Sequence, residues 1–251
     1  MNKIKTSDVI MYMDCPLKYK LYKEGDYDVP YNASAKTVIS CALRDTIMQA
    51  YRLAGTRRGY TISNLSKYFS RAWAGYRDTY VEMGGVMEKY SSYLFDSHKR
   101  MVDFTLPDKE DVALVGYPVE REVRGNIYTD SLDVVLINKK DTKKITLLFF
   151  DTSLAKKSEI DYGTQLRALM GRSCFLRELK GESDISISCR VVNLYHKYSR
   201  DINVSVADKL NYPRAVRNIN KAIDDKLFYP RASEESCRDC FFNKQCQWRI
   251  S

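Results

Sequence analysis

Apolar positions repeat with two different periods along this chain, and the change of period separates a helical part from a strand-forming part. Through the first hundred residues, apolar side chains recur about every three to four positions, which is the spacing of one face of an α-helix. This spacing predicts helices at 7–13, 16–23 and 34–53, then one that begins at a Ser63 cap and one that follows Gly84-Gly85 and reaches about Phe104.

The middle of the chain is instead rich in Val, Ile, Leu and Phe, in short runs separated by polar residues. Such runs are typical of β-strands. They predict strands at 112–119, 125–137 and 144–151, a hairpin turn at 138–143, a helix at 159–179, a strand at 185–194 and a last helix at 212–225. This order of elements predicts a mixed α/β fold.

Neither an internal repeat nor a Pro/Gly/Ser-rich linker divides the sequence, which favours one integrated domain over residues 1–251. Within it we expect a helical insertion at about 55–108, an α/β core at about 110–230 and a cysteine-rich tail at 237–246. The length of 251 residues and the 44% hydrophobic content are sufficient for such a core.

The charge of the chain is moderately positive and points to a polyanionic partner. Lys and Arg number 41 against 32 Asp and Glu, a formal net charge of +9. Such an excess favours contact with nucleic acid. No apolar run approaches the roughly 18 residues of a membrane span. The polar start of the sequence does not resemble a secretory signal, so we expect a cytoplasmic protein without a membrane partner.

Seven cysteines are the most specific compositional feature, since a protein that is not exported seldom uses them as disulfides. The spacing Cys-x2-Cys-x5-Cys at Cys237, Cys240 and Cys246 can direct three thiolates to one centre, and Cys15 before Pro16 is the best fourth ligand. The uneven spacing favours an iron–sulfur cluster. A four-cysteine zinc site and a chance clustering of buried cysteines are the alternatives. We expect the remaining three to be small core residues: Cys41, Cys174 and Cys189.

Two acidic residues stand in or at the end of apolar strands. Asp133 lies inside one predicted strand and Asp151 ends the next. A carboxylate among apolar residues is costly unless it is paired or bound to a metal. Adjacent antiparallel strands could bring the two together, and with a carbonyl near Thr152 they would suit Mg²⁺ or Mn²⁺. Alternatively, Asp151 caps a turn and Asp133 pairs with a nearby Lys or Arg.

In this order, these features resemble the PD-(D/E)XK nuclease superfamily, and especially its RecB-type exonucleases with an iron–sulfur cluster, such as AddB and the CRISPR-adaptation exonucleases. The matching segments are Cys15-Pro16, Leu132-Asp133-Val134, in part Asp151-Thr152-Ser153, Gln165-Leu166 and the three tail cysteines; Glu120 lies where this branch often has an acid. The resemblance implies a restriction-endonuclease-like core, a mixed sheet flanked by helices, with an N-terminal helical region.

The same resemblance implies a [4Fe–4S] cluster on Cys15 and the three tail cysteines, which would staple the tail to the N-terminal region. It also implies a catalytic metal on Asp133 and Asp151, with Glu120 and Gln165 nearby. Three positions depart from the family pattern: Ser40 replaces a His, Ser153 the catalytic Lys and Leu169 a Tyr.

The departures predict a degenerate site with weak activity or none. Lys156 or Lys157 could supply the missing amine, so an active Mg²⁺- or Mn²⁺-dependent exonuclease using Asp133, Asp151 and a relocated lysine is the alternative. A zinc-stapled interaction protein is a second alternative.

Binding of DNA does not need the lost groups. Residues 139–157 contain six Lys and two Asp, a local charge of 6 − 2 = +4 that we expect beside the paired acids. The candidate phosphate contacts are Lys139, Lys140, Lys143 and Lys144 in the turn, and Arg214 and Arg217 on the last helix. We therefore expect a protein that binds single-stranded DNA or DNA ends, within a replication, recombination or other DNA-processing complex.

Overall fold

The computed structural model describes residues 3–25, 35–54, 62–82, 110–123, 126–151, 162–179, 184–193, 198–202, 206–234, 237, 240, 242–243 and 246–248. The contacts divide the chain into two compact units. Unit 1 comprises Met1–Ala33, Glu120–Asp130 and Ser205–Ser251, and unit 2 comprises Ser34–Val119 and Ser131–Val204. Each unit is therefore assembled from segments that are distant in the sequence.

The secondary structure elements follow in chain order. They are β1 (Lys3–Lys5), α1 (Thr6–Asp14), α2 (Pro16–Glu24), α3 (Ala35–Ala54), α4 (Ile62–Glu82), β2 (Glu110–Val123), β3 (Asn126–Asn138), β4 (Lys144–Asp151), α5 (Tyr162–Glu178), β5 (Ser186–Asn193), β6 (Tyr198–Ile202) and α6 (Val206–Asp224). No described helix is both long and apolar enough to cross a membrane.

In unit 1, the short strand β1 pairs in parallel with the first residues of β3, from Lys3 with Ile127 to Lys5 with Thr129. Helices α1 and α2 follow directly, because Pro16 cannot continue α1 but suits the first turn of α2. On α6, Tyr212 and Val216 lie one turn apart and are both buried. This spacing gives α6 one buried face.

In unit 2, β4 lies in the middle of a mixed sheet. It pairs antiparallel with β3, where Val134 faces Leu148, and in parallel with β5 over its whole length; β5 in turn pairs antiparallel with β6. After the exposed Lys144, every residue of β4 is buried. Burial on both faces is typical of a strand with helices above and below the sheet.

The alternation of side chains along β4 shows how helices cover both faces. Leu148 and Phe150 belong to one apolar cluster with the buried faces of α3 and α4. Phe149, between them, instead lies against Gly171 of α5. Successive side chains of a strand point to opposite faces. The fold is therefore a mixed α/β sheet flanked by helices, which confirms that part of the prediction.

Most predicted boundaries agree with the structure, and the exceptions have physical causes. The bounds predicted for β4 coincide with those observed, and the hairpin turn at 138–143 is present. The last helix begins at Val206 rather than Tyr212, and Pro213 lies inside it. Strands β1 and β6 were not predicted. The helix expected between Gly84 and Phe104 lies outside the described residues.

The contact between α5 and the sheet gives a testable prediction. A Cβ atom at Gly171 would lie 2.8 Å from Leu132 Cδ2 and 3.3 Å from Phe149 Cζ, in a fully buried layer. We expect Gly171→Ala to lower the free energy of unfolding by about 1–3 kcal/mol, because overpacking outweighs the gain in helix propensity. Urea unfolding followed by circular dichroism measures the change.

The matched control is Gly75 on α4, which is exposed and where an added Cβ atom would meet nothing within 4 Å. Gly75→Ala is expected to stabilise the protein by up to about 1 kcal/mol, since only helix propensity changes. If both alanine variants were stabilised equally, the close packing inferred at Gly171 would be wrong.

Candidate functional site

The four predicted cluster ligands line a single cavity in unit 1. Cys15, Cys237, Cys240 and Cys246 all face this cavity, whose volume is about 250 Å³. Cys15 occupies the break between α1 and α2 with an extended backbone, φ −161° and ψ 111°. The structure thus brings together thiols separated by more than two hundred residues.

Backbone turns position the three cysteines of the tail. The Cys240 N–H donates to the Cys237 carbonyl at 3.2 Å, and the Cys246 N–H donates to the Phe242 carbonyl at 2.9 Å. The Asn243 side chain donates to the Cys237 carbonyl at 2.6 Å. Phe242 is buried and anchors the segment. These contacts link the described residues of the tail to one another.

The segment after α6 holds Cys15 from the other side. The Arg231 backbone N–H donates to Cys15 Sγ at 3.5 Å, and its guanidinium donates to the Met13 carbonyl at 2.7 Å. The Leu17 N–H donates to the Tyr229 carbonyl at 3.2 Å. These contacts fix Cys15 against the segment that follows α6.

The surroundings of Cys240 disfavour its thiolate form. Burial raises the pKa of the Cys240 thiol above its ordinary value of 9.0, and the neighbouring Cys15 and Cys237 raise it further, against the opposing effect of Lys18 and the Phe242 backbone. Thiolates that repel one another are stabilised by a bound cation. Among the described residues, however, no group of three or more His, Cys, Asp or Glu is placed so that it could hold a metal ion.

The thiols that line the cavity suit more than one kind of metal centre. Four thiols are a suitable donor set for either zinc or a [4Fe–4S] cluster. A volume of about 250 Å³ is many times the roughly 10–15 Å³ needed by one water molecule.

The other three cysteines differ in their environment. Cys174 and Cys189 are buried, as predicted for core residues, and burial raises the pKa of Cys189 to about 12. Cys41 is only half-buried on α3, so the prediction of a core position was wrong for this residue. None of the three lines the cavity of the cysteine motif.

In unit 2, the Asp133 carboxylate is fully buried and bound by two arginines. Its Oδ1 accepts hydrogen bonds from Arg44 Nε at 3.1 Å, from Arg44 Nη2 and from Arg167 Nη2 at 2.9 Å. Its Oδ2 accepts from Arg167 Nη1 at 2.9 Å and from the Phe150 N–H at 2.7 Å. Arg167 also lies over the Phe149 ring, 5.5 Å from its centroid.

These contacts determine the charge of the Asp133 carboxyl group. Burial raises the pKa of Asp133, but the guanidiniums of Arg167 and Arg44 and the donated hydrogen bonds outweigh it, so the pKa lies below the ordinary 3.8. The carboxylate is therefore ionised at neutral pH and compensated by two cations. This is the pairing that was the alternative to a metal site.

Asp151 lies close by at the end of β4, directly after Phe150. It is buried, with 8% of its surface exposed, and accepts a hydrogen bond from Asn193 Nδ2 at 3.0 Å. Asn193 is its partner in the parallel pairing of β4 with β5. The adjacent antiparallel strands predicted to carry Asp133 and Asp151 are thus present, as β3 and β4.

Two of the other predicted catalytic residues, Gln165 and Glu120, are among the described residues. Lys156 and Lys157, either of which could supply the missing amine, lie outside the described residues. Gln165 is half-buried on α5. Glu120, in unit 1, forms an exposed ion pair with Lys3 at 2.9 Å.

The lysines in the turn between β3 and β4 are less free to contact phosphates than the charge of this segment suggested. Three of its lysines are paired with acids in unit 2: Lys139 with Asp111 at 3.6 Å, Lys143 with Asp184 at 3.0 Å, and Lys144 with Asp141 at 3.0 Å. Lys140 is exposed, as is Arg214 on α6, whereas Arg217 is half-buried.

The prediction that residues 139–157 lie beside the paired acids is wrong for the lysines at 139–144, whereas Lys156 and Lys157 lie outside the described residues. Asp133 and Lys139 are on the same strand or at its end, six residues apart, which corresponds to roughly 20 Å of extended chain. The lysines at 139–144 therefore do not lie beside the paired acids.

Arg44 and Arg167 are the site residues that the sequence did not reveal. They lie 89 and 34 residues from Asp133 along the chain. A buried aspartate requires a cation, but no spacing rule selects one of the 41 Lys and Arg residues. The sequence could predict the need for a partner but not its identity.

No protein-family model and no curated protein matches this sequence. Among solved structures, the chain is similar to SSO0001, with a TM-score of 0.40 and 13% identity over 94% of this chain and 96% of the other. It is also similar to a candidate exonuclease from Eubacterium rectale, with a TM-score of 0.44 and 12% identity over 100% of this chain and 91% of the other. At these scores the similarities assign neither a family nor an activity.

Proposed function

We propose that this chain is an iron–sulfur DNA-binding protein of the PD-(D/E)XK nuclease fold that acts in DNA processing and has lost most or all of its hydrolytic activity. The sequence motifs support the family and the DNA partner. The cavity of four cysteines supports the cluster, and the surroundings of Asp133 support the loss of activity.

The observation that best supports the loss of activity is that both carboxylate oxygens of Asp133 already accept hydrogen bonds. Mg²⁺ and Mn²⁺ bind carboxylate oxygens directly, so their ligand must have free lone pairs. Both oxygens of Asp133 accept hydrogen bonds from Arg44, Arg167 or the Phe150 N–H. A metal would have to displace at least one guanidinium and approach the other. Ser153 in place of the family's lysine removes a further catalytic group.

A cluster in the cysteine cavity would have a structural role in this proposal. Held by Cys15 and the three cysteines of the tail, it would cross-link segments that are more than two hundred residues apart in the sequence. Closing so long a loop removes much of the conformational entropy of the unfolded chain. The residues around the cavity contribute by anchoring the ligands, through Arg231, Asn243 and Phe242.

Affinity for DNA rests on the net charge of +9 and on exposed cations such as Lys140 and Arg214. Contacts between such cations and phosphates release counterions, so the affinity must fall as salt rises. Each phosphate contact on a single strand contributes about 0.7 to the slope of log K against log salt. The paired lysines of the turn contribute less than their number suggests, because binding must first break their ion pairs.

The test separates binding from cleavage. Protein purified without oxygen is incubated with a labelled single-stranded oligonucleotide and Mn²⁺; anisotropy reports binding and gel analysis reports cleavage. We expect salt-dependent binding and no product. Mn²⁺-dependent product that disappears in Asp151→Asn would instead establish the exonuclease alternative. Affinity that does not change with salt would contradict the phosphate contacts.

Metal analysis of the same sample tests the cluster. We expect iron and acid-labile sulfide in equal amounts, near four of each per chain for a [4Fe–4S] cluster, together with a brown colour. Stoichiometric zinc in a colourless sample would contradict the cluster and support the zinc-stapled alternative.

A further inference from the structure

A second cavity opens in unit 2, between α3 and α4, and neither the cluster nor the acidic site uses it. Its volume is about 520 Å³, within the roughly 300–1,000 Å³ of sites that bind small molecules. The lining residues that matter here are Asp45, Met48, Gln49 and Arg52 on α3, and Tyr68 and Arg71 on α4.

Two guanidiniums dominate the charge of this cavity. Arg52 and Arg71 are both exposed, and neither has an ion-pair partner among the residues that the structure describes. They differ in this respect from Lys139, Lys143 and Lys144 of the turn. Guanidiniums present planar pairs of N–H donors that match phosphate oxygens, so two of them on neighbouring helices suit a phosphate group.

Neighbouring groups hold the Arg52 side chain in place. Its Nη1 donates to Gln49 Oε1 at 3.2 Å. On strand β2, Gly116 adopts a φ of +66°, and a Cβ there would lie only 3.3 Å from Arg52 Nη2 and 3.1 Å from Met48 Cε. The strand therefore packs directly against this guanidinium. A donor that is already ordered loses less side-chain entropy when it binds an anion.

The remaining lining suits an aromatic base. Tyr68 is half-buried and Met48 is buried, so the cavity has an aromatic group and an apolar surface beside its cations. Base stacking on such an aromatic side chain does not depend on sequence. Asp45 is the one acid named among the lining residues, and its Oδ2 already accepts a hydrogen bond from the Tyr76 hydroxyl at 2.8 Å.

We propose that this cavity binds a nucleotide unit, with its phosphate on Arg52 and Arg71 and its base against Tyr68. The unit would come either from a single-stranded DNA or from a free nucleotide, since both carry the same phosphate and base. The version with a DNA strand rests on the function proposed above, whereas binding of a free nucleotide does not.

The experiment uses the full chain, a fluorescent oligothymidylate and thymidine monophosphate. We expect Arg52→Gln combined with Arg71→Gln to weaken oligonucleotide binding and to reduce the salt slope by about 1.4, the value for two phosphate contacts to a single strand. Tyr68→Ala should weaken binding by about 5- to 150-fold, the range for loss of one stacked base, while Tyr68→Phe should retain it. Competition by the monophosphate shows whether a free nucleotide also occupies the cavity.

The matched control is Arg77→Gln. Arg77 is an exposed arginine on α4, the helix of Arg71, but it pairs with Asp78 and does not line the cavity. The proposal would be overturned if the double arginine variant left the affinity and the salt slope unchanged. It would also be overturned if Arg77→Gln reduced them equally. If the wild-type chain binds no oligonucleotide, the proposed function fails. In that case, monophosphate binding that is lost in the Arg52→Gln, Arg71→Gln variant would still support the nucleotide-binding cavity. If the wild-type chain bound neither the oligonucleotide nor the monophosphate, the proposed function and the cavity proposal would both be overturned.

Discussion

Serine in place of Cys237 is expected to abolish iron binding and to unfold much of unit 1, because a thiolate centre there would link the tail to α1 and α2. Structural four-ligand zinc sites supply about 10–16 kcal/mol of apparent binding free energy, and we expect a cluster held by four thiolates to contribute on a similar scale. The measurements are iron and sulfide content per chain and thermal unfolding under anaerobic conditions. Treatment of the wild-type protein with a chelator should reproduce the effect.

Cys41 provides the matched control for this substitution. It is half-buried on α3 and does not line the cavity. Cys41→Ser should leave the iron content unchanged and alter the free energy of unfolding by about 1 kcal/mol or less. If Cys237→Ser retained the wild-type iron and sulfide content, Cys237 would not be a ligand.

Removing both arginines around Asp133 is expected to have the second-largest effect. The double variant Arg44→Met with Arg167→Met leaves a fully buried carboxylate without a cation. Loss of the partners of a buried charge costs about 3–5 kcal/mol, and urea unfolding at neutral pH measures it. Adding Asp133→Leu removes the remaining charge and should restore much of the stability, since an apolar replacement avoids the uncompensated charge.

The pH dependence of stability distinguishes this explanation from a simple loss of packing. In the wild-type protein, the pKa of Asp133 lies below its ordinary 3.8, so its contribution to stability is complete above that pH and is lost as pH falls through the lower pKa. In the double variant, burial without cations raises the pKa instead. The folded state then binds the proton more tightly, so acidification should reduce the penalty.

Unfolding curves of the two proteins between neutral pH and pH about 4 should therefore converge. A difference in stability that stays constant over this range would show that the arginines act through packing alone. Arg77→Gln, which removes an exposed arginine, should change the free energy of unfolding by no more than about 0.5 kcal/mol at any of these pH values.

The sequence predicted the elements whose signals are local. Strand β4 was bounded correctly because an apolar run ends in polar residues on both sides, and Pro16 correctly marked the start of α2. The three residues of β1 carry too short a pattern to recognise, and its pairing with β3 joins segments far apart in the chain. The start of α6 at Val206 was missed, because the helix continues through Pro213 and the sequence alone did not extend it past Tyr212.

The candidate sites show the same difference between features that depend on nearby residues and features that depend on residues far apart in the sequence. The spacing of Cys237, Cys240 and Cys246 is local, and the structure places them with Cys15 in one cavity. The partners of Asp133 are not local, since Arg44 and Arg167 come from two helices on different segments. The apparent +4 of residues 139–157 included charges whose neutralising partners, such as Asp111 and Asp184, lie elsewhere in the chain.

The division of unit 1 between the two ends of the sequence constrains how the protein is made. Its first segment ends at Ala33 and its last begins at Ser205, so contacts such as those between Tyr12 and Leu227 have a very high contact order. During synthesis, α1 and α2 leave the ribosome long before their partners. Unit 2, with its sheet and helices complete by Val204, can fold first, while α1 and α2 must wait for the tail. A centre held by Cys15 together with Cys237, Cys240 and Cys246 could be completed only after the tail has been translated.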